Sequence, residues 1–262
     1  MLRHCALAAL CQPDIDLKLA EVAEMTAEAA VEPHAPIAVM PLPGRPARPR
    51  LVEPKAVPQR SLASIEGRAG LIHAVAHIEF NAINLALDAI WRFDGFPDAY
   101  YREWLSVAKE EAYHFRLLRD HLSTLGFAYG DFPAHNGLWE MAERTAGDAL
   151  ARMALVPRTL EARGLDASPP LRGKLLKAGD AKAAGILDII LRDEIGHVRI
   201  GNHWFRYLCQ RRGLDPVRIW RELAGHYQAP RLRGPFNLDA RRAAGFEEIE
   251  LIELQASEGR AA

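Results

Sequence analysis

Glu110–Phe115 reads EEAYHF and Asp193–Val198 reads DEIGHV, so a Glu-x-x-His pair occurs twice, as Glu111/His114 and Glu194/His197, each inside a strongly helical stretch. Three-residue spacing sets a carboxylate and an imidazole on neighbouring points of one helix face, where both can reach one metal centre. The copies lie 83 positions apart. Each also follows an upstream helical glutamate about one helical hairpin earlier, the donor scheme of a two-metal four-helix bundle.

The apolar periodicity supports this on three of the four helices. In LIHAVAHIEFNAINLALDAI, residues Ile72, Val75, Glu79, Ala82, Ala86 and Ile90 trace one stripe at helical spacing, so Glu79 points into the interior. A lone buried carboxylate is costly, and needs a hydrogen bond, a charge partner or a metal. Asp88 falls off this stripe near the helix end and is the weaker candidate. Trp104, Val107, Glu111, His114 and Leu118 form the second stripe, with Glu110 rotated away by roughly 100°. Ile186, Ile190, Glu194, His197, Gly201 and Trp204 form an independent third. Gly196, inside the motif, lowers helix propensity by about 1 kcal/mol relative to alanine, which suggests packing or access that favours a missing side chain.

The remaining helix leaves two readings open. Glu143 and Glu161 both fall on the stripe of Leu150, Ala154 and Pro157, while Asp148 points away. The intervals Glu79 to Glu111 and Glu161 to Glu194 are 32 and 33 residues, and this near-symmetry favours Glu161. Glu161 lies near the apparent helix end, but Pro157 removes a helical hydrogen bond and can bend the chain inward. The expected metal ligands are therefore Glu79, Glu111, His114, Glu161, Glu194 and His197, with Glu143 as the alternative to Glu161. Carboxylates and imidazoles suit two iron ions, or manganese, and the ligand types leave zinc open. His73 and His77, rotated off the Glu79 face, read as structural or ligand-orienting groups.

The rest of the chain is read around this core. Residues 1–60 form an N-terminal extension that ends in a proline-rich strap, Pro33–Pro58, and residues 61–262 form an all-α domain. Arg45, Arg48 and Arg50 on the strap can pair with surface carboxylates or bind a phosphate-bearing ligand. A short amphipathic helix is expected within Asp14–Ala30, and four long helices over Ser61–Phe93, Pro97–Leu125, Gly137–Arg163 and Asp180–Arg211. LDASPPLRGKLLKAG predicts a turn and a short extra helix between the third and fourth. Extra C-terminal helices follow, the last over Leu238–Gln255. With 33 basic and 34 acidic side chains and a formal charge of -1, the chain gives no global reason to expect nucleic-acid binding. Arg211, Arg212, Arg231 and Arg233 are the local groups that could contact phosphate. Cys5, Cys11 and Cys209 are scattered and form no CxxC unit, which argues against a disulfide scaffold or thiolate metal site. The apolar run Ala6–Leu10 ends too early for a signal peptide, and no charge-free stretch reaches membrane length. A cytoplasmic protein without a membrane anchor is the expectation.

The ligand set Glu79, Glu111-x-x-His114, Glu161 and Glu194-x-x-His197 resembles the ferritin-like di-metal carboxylate superfamily. More specifically, GRAGLIHAVAHIE, DAIWRF, VAKEEAYHFRLLRDHL, YGDFPAHNGLW, LVPRTLEARGLD and DEIGHV look like a bacterial family of uncharacterised ferritin-like proteins, domain of unknown function 455, over about residues 40–215. The resemblance implies a ferritin-like four-helix bundle and metal chemistry. Relatives include di-iron tRNA hydroxylases and rubrerythrin-like peroxidases, although this chain has no CxxC…CxxC electron-transfer module. The leading reading is a non-haem di-iron oxidoreductase, in its narrower form an oxygen-dependent monooxygenase that takes a small-molecule substrate and an external electron donor. A tRNA substrate is a subsidiary reading. An iron-oxidising or storage protein and a metal-stabilised interaction protein are the alternatives.

Overall fold

The computed structural model describes residues 1–32, 34 and 42–258. It is predominantly α-helical, and apart from one isolated bridge between Leu51 and Ala134 its described regular structure is helical. Two compact units divide the chain, Met1–Trp139 and Glu140–Ala262.

The first unit begins with helices α1 (Leu2–Cys11) and α2 (Ile15–Glu24) and is built on the hairpin of α3 (Ile65–Arg92) and α4 (Asp98–Thr124). The Ser64 hydroxyl accepts a hydrogen bond from the Gly67 N–H at 3.0 Å and so starts α3 on one of its unpaired donors. Pro97 introduces α4, with Asp98 in the first turn, where its charge favours the helix dipole. A connection this short between two long helices makes them antiparallel neighbours. Ile72, Ile83, Ala86 and Ile90 on α3, with Trp104, Phe115 and Leu118 on α4, are buried. Each large apolar side chain removed from water this way contributes about 1.5–3 kcal/mol. By length and composition α3 could cross a membrane, but most of its apolar window is buried within the protein, as befits a core helix.

Two buried cations tie α1 and α2 to this hairpin. Arg3 donates to the Trp91 carbonyl near the end of α3 at 2.7 Å. Lys18 donates to the Ala9 and Leu10 carbonyls near the end of α1 at 2.9 and 3.0 Å, and to Asn84 Oδ1 at 2.8 Å. Both satisfy carbonyls that a helix end would leave unpaired. Burial holds the Lys18 ammonium down to about 7, although Cys11 and Glu21 pull it upward. Of the strap, residues 33 and 35–41 lie outside the described residues. Its described remainder passes Gly44, whose N–H donates to the Leu10 carbonyl at 2.9 Å, and then pairs with Ala134 through the Arg50 carbonyl and the Val52 N–H.

After α5 (Gly137–Arg144), the second unit holds α6 (Ala149–Leu155), a π turn (Val156–Glu161), α7 (Ala162–Lys177) and α8 (Ala181–Arg212). Gly213 closes α8 in the left-handed region at φ 63°. The third long helix expected over Gly137–Arg163 is thus broken. Thr145–Asp148 separate α5 from α6, Asp148 caps α6 by accepting from the Leu150 N–H at 2.9 Å, and Pro157 opens the π turn. Pro157 has no N–H to bond the carbonyl four residues back, and its ring would clash with that group in a tight α-turn. The wider turn gives it room. Gly201 on α8 completes the fit, since a Cβ at that position would lie 2.5 Å from Pro157 Cβ.

The turn expected at LDASPPLRGKLLKAG is also absent, because α7 runs straight through Pro169 and Pro170. An interior proline costs roughly 3 kcal/mol or more. Part of that cost is offset from elsewhere in the unit, for the carbonyl that the Pro169 N–H would have reached belongs to Leu165, and the Asn237 side-chain amide donates to it at 3.2 Å. The C-terminal part consists of α9 (Pro216–His226), α10 (Leu238–Ala243) and α11 (Glu248–Glu258). The single helix expected over Leu238–Gln255 is split at Gly245, whose φ of 87° no helix accommodates. Ala240, Ala244, Phe246, Leu251 and Leu254 pack with Ala162, Leu165 and Val198 in one apolar cluster, so this segment belongs to the core of the second unit.

Candidate metal centre

In the first unit the stripe of α3 carries Glu79 inward and the stripe of α4 carries Glu111 and His114 inward. All three are buried, Glu111 and His114 completely. His114 Nδ1 lies 3.2 Å from Glu79 Oε2 and 3.5 Å from Glu111 Oε2. One donor atom from each of these residues falls within 4.8 Å of the others.

Two carboxylates held this close away from water cannot both keep a negative charge cheaply. Burial, and then the Glu111 charge, raise the Glu79 carboxyl above the ordinary carboxylate range. Burial alone would lower the His114 imidazole, but the hydrogen bonds it donates to Glu111 and Glu79, and then their charges, outweigh it and raise it. Glu79 and His114 therefore hold their protons more tightly than such groups ordinarily do, and a divalent cation would displace them. Buried oxygen and imidazole donors at this spacing fit a hard or borderline ion such as iron, manganese or zinc.

The second unit repeats the device on α8. Glu194 and His197 are buried, with His197 Nδ1 at 3.4 Å from Glu194 Oε1. Glu161 closes the π turn packed against α8, half-buried, with its Oε2 shielded from solvent. Glu143, the other reading for this helix, is exposed on α5. Asp148, besides capping α6, faces Arg212 at 3.4 Å. Asp88 is buried but committed to Arg92 at 2.6 Å and to the Trp91 indole N–H at 3.1 Å. Among the described residues, nothing beyond its chain neighbours and its own helix backbone lies within 4 Å of the position a Cβ would take on Gly196, so the packing reason expected for that glycine is not found.

His73 and His77 enter a polar network on α3 that the sequence pattern did not reveal. The Asn81 amide donates to the His77 carbonyl at 2.8 Å and faces His77 Nε2 at 3.0 Å, which leaves the ring hydrogen on Nδ1, 2.8 Å from the Tyr129 hydroxyl. His73 Nε2 accepts from the Gly130 N–H at 2.9 Å, and its ring stacks on Tyr129. Burial lowers both imidazoles to about 4 and raises the Tyr129 phenol. These rings are neutral donors and acceptors near neutral pH. Tyr129 sits in a loop, where no periodicity could have flagged it. Of the basic groups read as phosphate contacts, Arg211 lies over the Tyr207 ring and Arg212 faces Asp148.

Comparison with known proteins places the chain in a family. The family model described as a protein of unknown function (DUF455) matches residues 11–252, and the chain belongs to that family. An uncharacterized protein of Haemophilus influenzae is 56% identical over 213 residues, covering 79% of this chain and 74% of the relative. No solved structure matches.

Proposed function

We propose that the protein is a non-haem di-iron oxidoreductase in which the two hairpins combine as one ferritin-like four-helix bundle around a pair of metal ions. Glu79, Glu111 and His114 would supply one half of the ligand set, and Glu161, Glu194 and His197 the other. The observation that carries this reading is the burial of Glu79, Glu111 and His114 with donor atoms within 4.8 Å of one another. The second Glu-x-x-His pair, likewise buried, supports a matching half.

Four carboxylates would balance the formal charge of two divalent ions, and the two imidazoles would complete a mixed oxygen and nitrogen donor set. An iron pair bound there supplies two-electron chemistry toward oxygen, with electrons from an external donor. The chain's own contribution is to hold the donors rigidly on helices, to exclude water through the apolar residues that flank each stripe, and to release the protons of Glu79 and His114 as metal enters. Manganese is the alternative metal. An oxygen-dependent monooxygenase acting on a small organic molecule is the narrower form of this reading.

Anaerobic reconstitution with ferrous iron tests it, read by metal analysis and Mössbauer spectroscopy. Two irons per chain with the signature of a coupled pair are expected. A wild-type chain without such a pair would end the proposal. Oxygen uptake by the loaded protein together with a hydroxylated product supports the monooxygenase, whereas uptake without an organic product moves the assignment to iron oxidation or storage.

A further inference from the structure

The ligand expected from the third helix sits on its most irregular turn, and that turn is held from outside by the C-terminal segment. Arg158, three residues before Glu161, is almost wholly buried and ion-pairs with Glu250 of α11. Its guanidinium also donates to Asn202 Oδ1 at 3.2 Å, and lies 4.9 Å from the centres of both the Phe205 and Phe246 rings. Glu250 is fixed in turn, since it accepts from Arg206 at 3.0 Å and from the Glu247 N–H at 2.8 Å. The Asn202 amide donates to the Ala244 carbonyl at 2.8 Å. From the other side, the Trp220 indole N–H donates to the Thr159 hydroxyl at 3.0 Å.

A buried ion pair is a poor device for stability alone, because apolar residues of similar volume usually serve as well. What it does impose is a single geometry. The π turn places one more residue in the turn than an α-helix would, which rotates everything after it by roughly 100°. The direction of Glu161 therefore depends on that turn keeping its shape.

We infer that Arg158 and Glu250 are positioning residues that fix the π turn so that Glu161 presents its carboxylate to the metal pair. This rests on the proposed metal centre. Groups that orient a ligand typically change metal affinity by roughly 10- to 100-fold when altered, without binding metal themselves.

Anaerobic cobalt(II) titration of the full chain, followed by visible absorption, tests the inference. Glu250→Gln should weaken the second cobalt site by about tenfold and shift its absorption bands. Hydrogen exchange at residues 156–161 of the metal-free protein should speed up in the same variant. In a Glu161→Ala background, Glu250→Gln should add nothing, because it acts through Glu161; losses that add would mean a general structural role and overturn the inference. Unchanged cobalt binding in Glu250→Gln also overturns it and leaves the metal centre standing. Wild-type protein that takes up no cobalt pair removes the metal centre and this inference with it. Should Glu250→Gln fail to fold, the double variant Arg158→Met with Glu250→Met removes the buried charges together. Intact cobalt binding in that folded variant counts against the inference, and weakened binding supports it.

Discussion

The hairpin α3–α4 is made of two uninterrupted helices, whereas the second unit carries the same Glu-x-x-His device on α8 beside α7, a helix that follows a π turn and runs on through a proline pair. In the first, regular helical spacing alone brings Glu79, Glu111 and His114 inward. In the second, Glu161 follows Pro157 on a widened turn that needs a glycine opposite it, and further contacts from Trp220 and Glu250 hold it. Glu79 is thus turned inward by local periodicity, whereas Glu161 takes its direction from a turn that depends on tertiary support.

The sharpest way to break this comparison is to remove a donor from each hairpin. If the two halves are equivalent, Glu111→Ala and Glu194→Ala should each abolish the coupled iron pair, with metal content falling from two ions per chain to one or none. Metal analysis after anaerobic reconstitution measures this. A variant in one hairpin that retains both ions while its counterpart loses them would show that only one motif ligates.

The support of the second hairpin predicts the next largest effect. Gly201→Ala would place a Cβ 2.5 Å from Pro157 Cβ, against a proline ring that cannot rotate away. Overpacking of this kind costs about 1–3 kcal/mol, readable as a lower urea midpoint. A Gly201→Ala protein as stable as wild type would mean that the π turn is not held by close contact with α8.

These cases explain how far the sequence could be read. Helices α3, α4 and α8 were legible within a few residues because their apolar stripes keep one period from end to end. The third helix is not, since one helical stripe puts exposed Glu143 and half-buried Glu161 on the same face, and although Pro157 signals a bend, neither the break at Thr145–Asp148 nor the π turn has a periodic signature. Pro169 and Pro170 predict a break by local rules. Their helix runs on nonetheless, with part of the cost offset by the Asn237 contact to the Leu165 carbonyl, made across 72 residues of chain. No local pattern encodes a compensation at that distance. Tyr129 escaped for the related reason that its partners His73 and His77 come from another element.

The His73 network distinguishes the first hairpin by its response to acid. Burial holds the His73 imidazole down to about 4, although Asp131 pulls it upward. In the unfolded chain it takes a proton near roughly 6.5. Between those values the unfolded state binds more protons than the folded one, so this group's contribution to stability is present above about 6.5 and is lost as pH falls toward 4. His73→Gln keeps an acceptor for the Gly130 N–H but does not titrate. Urea unfolding of the metal-free protein should show a pH slope shallower by up to about 1.4 kcal/mol per unit in that window. An identical slope would show that His73 does not carry this part of the acid response.

The smallest effect concerns Gly196, five residues before Gly201 on the same helix and inside the second motif. Gly201 is required by contact, but among the described residues nothing beyond its chain neighbours and its own helix backbone lies within 4 Å of where a Cβ on Gly196 would sit. Packing therefore gives no reason for the glycine, and helix propensity argues against it by about 1 kcal/mol. Gly196→Ala should raise stability by up to that amount, seen as a higher urea midpoint, with both irons still bound. The pair of alanine variants then separates the two roles on one helix, since Gly201→Ala should destabilise and Gly196→Ala should not. If Gly196→Ala is more stable and keeps its metals yet slows oxygen consumption by the reduced protein, the missing side chain serves approach to the site. If stability and oxygen consumption are both unchanged, neither packing nor approach explains the glycine. A loss of stability would show that residue 196 is more tightly enclosed than the fold indicates, and would bring the second hairpin's two glycines under one explanation.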